Sequence, residues 1–206
     1  RSYSVTGVQT CALPICHKIV VILRGVRPGE MIGVCETLAE AGARFVEVPL
    51  NTPDALASIR IAAEHFRNRD IHIGAGTVLK PDDVDAVFAA GGKYIISPNT
   101  RPDVIRRTLK RGLLSMPGFA TPTEAFAAID AGADILKCFP CGTPANIAVL
   151  KSVVPLPVFA VGGISRDNRD AYLGVADGVG VGIGIYRPGM SVPELRESAV
   201  RFFDLA

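Results

Sequence analysis

From Ile19 onward the sequence repeats one pattern eight times, a short β-branched or apolar run followed by an amphipathic stretch. The runs cover 19–23, 44–50, 71–76, 93–98, 113–118, 134–140, 157–163 and 178–184, and their starts lie 25, 27, 22, 20, 21, 23 and 21 residues apart. Near-continuous apolar character marks strands whose outer face is covered, and apolar residues at helical spacing mark the helices that cover them. Thr52-Pro53, Lys80-Pro81 and Thr121-Pro122 read as helix starts, and Gly42, Gly91, Gly112 and Gly132 as helix ends. Eight units with no break in rhythm fit a (β/α)8 barrel better than a doubly wound sheet. The expected barrel is a single α/β domain over residues 17–206, close to the lower length limit of about 200 residues for that fold.

Composition removes several classes of function. A net charge of +2 on 206 residues leaves no electrostatic footprint for nucleic acid. No apolar stretch approaches the ~20 residues of a membrane-spanning helix. Five cysteines in no metal-ligand spacing suit reduced thiols in the cytoplasm, with no metal site. Residues 1–16, RSYSVTGVQTCALPIC, carry neither an initiator Met nor the basic and apolar regions of a signal peptide. Part of this segment, VTGVQTCALPI, resembles a translated sequencing adapter, so it is expected to be foreign to the barrel; an ordinary ragged terminus is the alternative.

Barrel enzymes carry their chemistry at the C-terminal ends of the strands. Three charged residues interrupt the apolar runs there: Arg24, Glu47 and Lys137. Burial of Lys137 would disfavour its charged form and free an amine for Schiff-base chemistry with a carbonyl substrate. A shielded Glu47 carboxyl would titrate nearer neutrality and shuttle protons. Arg24 keeps its charge and can fork onto a carboxylate. The competing reading is an ion pair that only joins strands, although buried pairs stabilise poorly against apolar replacements. Two Gly-rich turns, 161–168 and 178–189, follow the last two strands, where barrels often hold phosphate on backbone N–H groups. Cys138 and Cys141 have a C-x-x-C spacing without a second ligand pair, and His65 and His72 read as surface or helix-end residues.

The segments ILRG (22–25), EVPLNTP (47–53), GAGTVLKP (74–81), ISPN (96–99), PGFATPTEA (117–125), GADILKCFP (132–140) and FAVGGI (159–164) occur in order over the whole chain after residue 17. Together they resemble the 2-dehydro-3-deoxy-phosphogluconate/galactonate aldolase family. The resemblance implies a trimeric class I aldolase that needs no cofactor or metal and acts on a phosphorylated keto-deoxy sugar acid. It implies Lys137 as the Schiff-base amine and Glu47 as the proton relay. Arg24 and Thr77 would hold the substrate carboxylate, and Gly163 and Gly182 the phosphate. Pro98, Gly162 and Ile183 fall in the same substrate-contacting motifs. Asn51 and Val161 follow the pattern of the galactonate enzymes, where the gluconate enzymes carry Arg and a Thr-bearing run. The implied substrate is therefore 2-dehydro-3-deoxy-6-phosphogalactonate, with its C4 epimer and a non-catalytic sugar-phosphate barrel as alternatives. Ile183 stands where the family carries a phosphate-binding Ser, and the loop after Pro140 is shorter than in the family.

Overall fold

The computed structural model describes residues 14–203. A short helix α1 (Pro14–His17) leads into β1 (Ile19–Ile22), α2 (Met31–Glu40), β2 (Phe45–Pro49), α3 (Ala55–His65), β3 (His72–Gly76), α4 (Pro81–Ala89) and β4 (Tyr94–Ile96). There follow α5 (Pro102–Lys110), β5 (Leu114–Met116), β6 (Gly118–Phe119), α6 (Pro122–Asp130), β7 (Leu136–Cys138), α7 (Pro144–Lys151), β8 (Val158–Val161), α8 (Arg169–Leu173), β9 (Gly178–Val181) and α9 (Val192–Phe203). The expectation for residues 1–16 falls, up to residue 13, outside the described residues, and residues 14–16 belong to α1.

All strand pairings are parallel, in the order β5-β4-β3-β2-β1-β9-β8-β7-β6. The two ends of that order are consecutive in sequence, because β5 and β6 are one stave broken at Pro117. Proline has no N–H for the ladder, so the regular pairing lapses there. The Pro117 carbonyl still accepts from Lys137 N at 2.9 Å, and the Ser115 carbonyl from Ile135 N at 3.2 Å. The sheet therefore closes, and its nine segments form the eight staves of a (β/α)8 barrel.

Alternation along each strand divides the apolar residues into two sets. Val20, Phe45, Tyr94, Ile96, Met116, Ile135 and Phe159 pack together inside the barrel. Their outward neighbours, such as Val21, Val46, Ile95, Leu136 and Val158, pack beneath the helices in the larger core. Strands covered on both faces have little room for polar side chains, so the few buried on them stand out.

Helix starts follow the expected chemistry with one exception. Thr121 caps α6, its hydroxyl accepting from Glu124 N while the Glu124 carboxylate accepts from Thr121 N at 2.9 Å. Thr52-Pro53 does not start α3, whose N-cap is Asp54. Thr52 is instead buried, and its hydroxyl accepts from Gly25 N at 3.0 Å, joining the turns after β1 and β2. The four glycines read as helix ends all have positive φ.

Cys35, Cys138 and Cys141 are free thiols, whereas Cys16 is disulfide-bonded, against the expectation of reduced cysteines throughout. Among the described residues no helix is long and apolar enough to cross a membrane.

Candidate active site

Glu47 and Lys137 both point into the barrel, from β2 and β7, and are 2% and 6% exposed. Glu47 has its place because β3 offers no side chain opposite it. A Cβ on Gly76 would stand 1.5 Å from Glu47 Oε1, so the carboxyl lies across the glycine. Burial pushes the Glu47 carboxyl above the ordinary carboxylate range, while the charges of Lys137 and Arg24 pull it back. A carboxyl raised by burial and pulled back by two cations is suited to both giving and taking a proton. The Lys137 ammonium lies 5.0 Å from the centroid of the Phe139 ring, just beyond the end of β7.

Arg24 follows β1 and is exposed at the barrel mouth, where its Nη1 donates to Asn51 Oδ1 at 2.6 Å. Together with the Gly25–Thr52 bond, this fixes the direction in which the guanidinium leaves the chain. Thr77 follows β3 directly, next to the glycine beneath Glu47, with φ +54°. A β-branched residue is strained by roughly 1–3 kcal/mol in the left-handed region, so the surrounding structure must hold it there. Pro98 follows β4, and its carbonyl packs on Gly118, where a Cβ would come within 2.4 Å. Asn51, Thr77 and Pro98 thus share the C-terminal face with Arg24.

A pocket of about 360 Å³ opens at the same end, between the segments after β1, β7, β8 and β9. Of the expected site residues it is lined by Arg24, Val161, Gly162, Gly163, Gly182 and Ile183. Phe139 also lines it, so one ring borders both the pocket and Lys137. Glu47, Lys137, Asn51, Thr77 and Pro98 are not part of its wall. Gly162 and Gly163 have φ of +115° and +70°, a consecutive pair that only glycine adopts readily. Their turn is held by Asn168, whose Nδ2 donates to the Gly163 carbonyl at 2.9 Å and whose Oδ1 accepts from Ser165 N at 2.8 Å. Ile183, at 81% exposure, presents an apolar side chain to the opening. A larger cleft of about 400 Å³ between the 165–167 turn and α9 is lined by both signs of charge and contains none of these residues.

Cys141 has a structural part in this face. Its thiol donates to the Gly162 carbonyl at 3.2 Å and its N–H to the Val161 carbonyl at 3.1 Å, tying the turn after β7 to the turn after β8. Burial pushes the Cys138 thiol up to about 11 and raises Cys141 as well, so neither is poised as a thiolate. No group of three or more potential metal-ligating side chains occurs among the described residues.

The family described as "Aldolase: KDPG and KHG aldolase" matches residues 15–189. The chain belongs to this aldolase family. It is 40% identical over 189 residues to the 2-dehydro-3-deoxy-6-phosphogalactonate aldolase of Escherichia coli (strain K12), covering 89% of this chain and 92% of that protein. The solved structure described as native KDPGal is also 40% identical, with a TM-score of 0.87 over 96% of this chain and 95% of that one. A KDPG aldolase from Legionella pneumophila, solved with pyruvate captured at low pH as a covalent carbinolamine intermediate, is 25% identical, with a TM-score of 0.77 over 91% and 92% of the chains.

In this aldolase-family barrel the sequence singled out the charged residues but not the spaces that admit them. Local pattern does not mark out Gly76 beneath Glu47, Gly74 beneath Tyr94 or Gly118 beneath Pro98. The available signal was a glycine inside an otherwise apolar strand, which often marks a close approach.

Proposed function

We propose that the protein is a class I aldolase that cleaves 2-dehydro-3-deoxy-6-phosphogalactonate to pyruvate and D-glyceraldehyde 3-phosphate in galactonate breakdown. The observation that carries this reading is the burial of Lys137 and Glu47 inside one barrel, with the Lys137 charge acting on the Glu47 carboxyl. The Glu47 carboxylate takes a proton from the Lys137 ammonium, and the amine Nζ so freed adds to the C2 ketone to give a carbinolamine. Glu47 delivers the proton with which water leaves, and a protonated imine forms. Glu47 then accepts the C4 hydroxyl proton as the C3–C4 bond breaks and its electron pair moves into the imine. The aldehyde departs, and the enamine takes a proton at C3. Water adds to the resulting imine and releases pyruvate, restoring the amine. No step calls for a metal or cofactor.

In this scheme Arg24, oriented by Asn51, and Thr77 hold the substrate carboxylate, with Pro98 beside them. Backbone N–H groups at Gly162, Gly163 and Gly182 hold the phosphate, and Val161 and Ile183 line its approach. The likeness to the E. coli enzyme and the residues Asn51 and Val161 support the galactonate epimer. We take residues 17–206 as the catalytic domain, acting in the cytoplasm as a homotrimer, on the strength of the family resemblance.

Incubation with pyruvate and borohydride should leave a reduced adduct on Lys137, read by mass spectrometry of the peptide. Absence of the adduct would overturn the class I mechanism. Retro-aldol rates on the two C4 epimers should favour the galactonate compound, and equal rates would remove the substrate assignment. Sedimentation at a monomer mass would remove the trimer.

A further inference from the structure

One layer below the Lys137–Glu47 pair, the barrel interior holds a phenol. Tyr94 on β4 lies among Val20, Phe45, Ile96, Met116, Ile135 and Phe159 and is 1% exposed. Its hydroxyl has no hydrogen-bond partner among the described residues. A Phe at this position would fill the same apolar space without burying an unpaired hydroxyl, so the oxygen calls for a reason of its own.

Strand register supplies the relevant neighbour. Glu47 pairs with Gly74, and Ala75 with Ile95, so Glu47, Gly74 and Tyr94 are in register on β2, β3 and β4, and the tilt of the strands sets Tyr94 one layer lower. Both side chains lean over the strand between them, into room left by its glycines. A Cβ on Gly74 would lie 2.4 Å from the Tyr94 ring, and one on Gly76 would lie 1.5 Å from Glu47 Oε1. The Tyr94 ring and the Glu47 carboxyl therefore lie over neighbouring inward positions of the same strand. No direct hydrogen bond joins the phenol to the carboxyl, so a link between them takes an intervening water, which spans ~5.6 Å with two bonds of ~2.8 Å.

The groups acting on Glu47 are Lys137 from β7 and Arg24 from the turn after β1; Glu47 and, from α2 outside the barrel wall, Cys35 act on Tyr94. Burial and the Glu47 charge hold the phenol well above its ordinary value, so it remains a proton donor wherever the carboxyl titrates.

We infer that Tyr94 is a positioning residue for Glu47, its hydroxyl donating through one buried water to the Glu47 carboxylate and holding that group over Gly76 on the side of Lys137. Its catalytic meaning rests on the aldolase function proposed above. Donation to the carboxylate favours the charged form, so loss of the hydroxyl should raise the proton affinity of Glu47.

The test is Tyr94→Phe, which keeps the ring and removes only the oxygen. The Glu47 carboxyl, followed by difference infrared titration against Glu47→Gln, should titrate about half to one pH unit higher in Tyr94→Phe. The acid limb of the kcat profile should move the same way, with kcat lowered several-fold and KM unchanged. In a Glu47→Gln background, Tyr94→Phe should add nothing further. Should Tyr94→Phe fold poorly, 3-fluorotyrosine at position 94, a stronger donor of nearly the same shape, should lower the Glu47 midpoint. An unchanged midpoint in either folded variant, or an equal kinetic effect with Glu47 already replaced, would overturn the inference. The infrared titration needs no turnover, so an inactive wild-type protein would overturn the aldolase function and leave the Tyr94–Glu47 coupling measurable.

Discussion

Arg24 Nη1 and Asn51 Oδ1, 27 residues apart in sequence, are joined by a 2.6 Å hydrogen bond across the mouth of the barrel. The bond gives Asn51 a second part besides any contact with the C4 end of a substrate, since it directs the guanidinium that is to receive the carboxylate. Asn51→Ala should raise KM for the cleaved substrate about three- to tenfold, consistent with loss of one hydrogen bond to a charged group, and should change kcat little. Steady-state kinetics of the cleavage reaction check this, and an unchanged KM would mean that Arg24 is held by other contacts.

Gly76→Ala should be the most damaging small change at the site. Its Cβ would stand 1.5 Å from Glu47 Oε1, so the carboxyl must leave its place over β3. The expected loss in kcat is on the order of a hundredfold, the usual scale for displacing a general acid–base group. Circular dichroism should report a native barrel; loss of fold together with activity would leave Gly76 a packing residue only.

Ile183 is 81% exposed and lines the opening of the pocket. Ile183→Ser supplies a hydroxyl donor beside the proposed phosphate site. It should lower KM for the phosphorylated substrate several-fold and leave a non-phosphorylated analogue unaffected. An equal change for both compounds would show that position 183 acts through shape and not through the phosphate.

Acid stability should depend on the ion pairs that join α4 to α5. The Asp85 carboxyl is held at about 2, below its usual range, chiefly by hydrogen bonds from Arg107 and Arg111. A depressed folded-state value means that this stabilisation is present above about pH 4 and fades as pH falls toward 2. Asp85→Asn should therefore lower the melting temperature at pH 7 and make little difference at pH 2. The carboxyl and its arginines are partly exposed to solvent, so 0.5 M salt should narrow the gap between the two proteins. A difference independent of pH would assign the effect to packing.

Much of the architecture follows from local pattern. Apolar runs at intervals of 20–27 residues, with amphipathic stretches between them, leave a parallel barrel as the arrangement that buries every run. Charged residues inside such runs are conspicuous for the same reason, because Glu47 and Lys137 have no exposed strand face available to them. The double glycine at 162–163 is equally legible, since its successive positive φ values suit no other residue. Strand ends are less so: the expected run 134–140 contracts to Leu136–Cys138, and the run 113–118 splits at Pro117. Backbone hydrogen bonding sets those limits, and apolar character continues past them.

Interactions between residues far apart in sequence were decided only by tertiary structure. Thr52 carries the local signature of a helix start, yet its hydroxyl accepts from Gly25 because β1 and β2 lie side by side. Gly74 and Gly76 look alike in sequence, and parallel register assigns one to the Tyr94 ring and the other to the Glu47 carboxyl. Thr77 takes a backbone conformation that its own side chain opposes. The sequence by itself determined the barrel and placed an amine, a carboxyl and a guanidinium at its strand ends, because hydrophobic period and charge are local properties. Which side chains meet inside the barrel depends on register, a property of strands paired across the whole closed sheet.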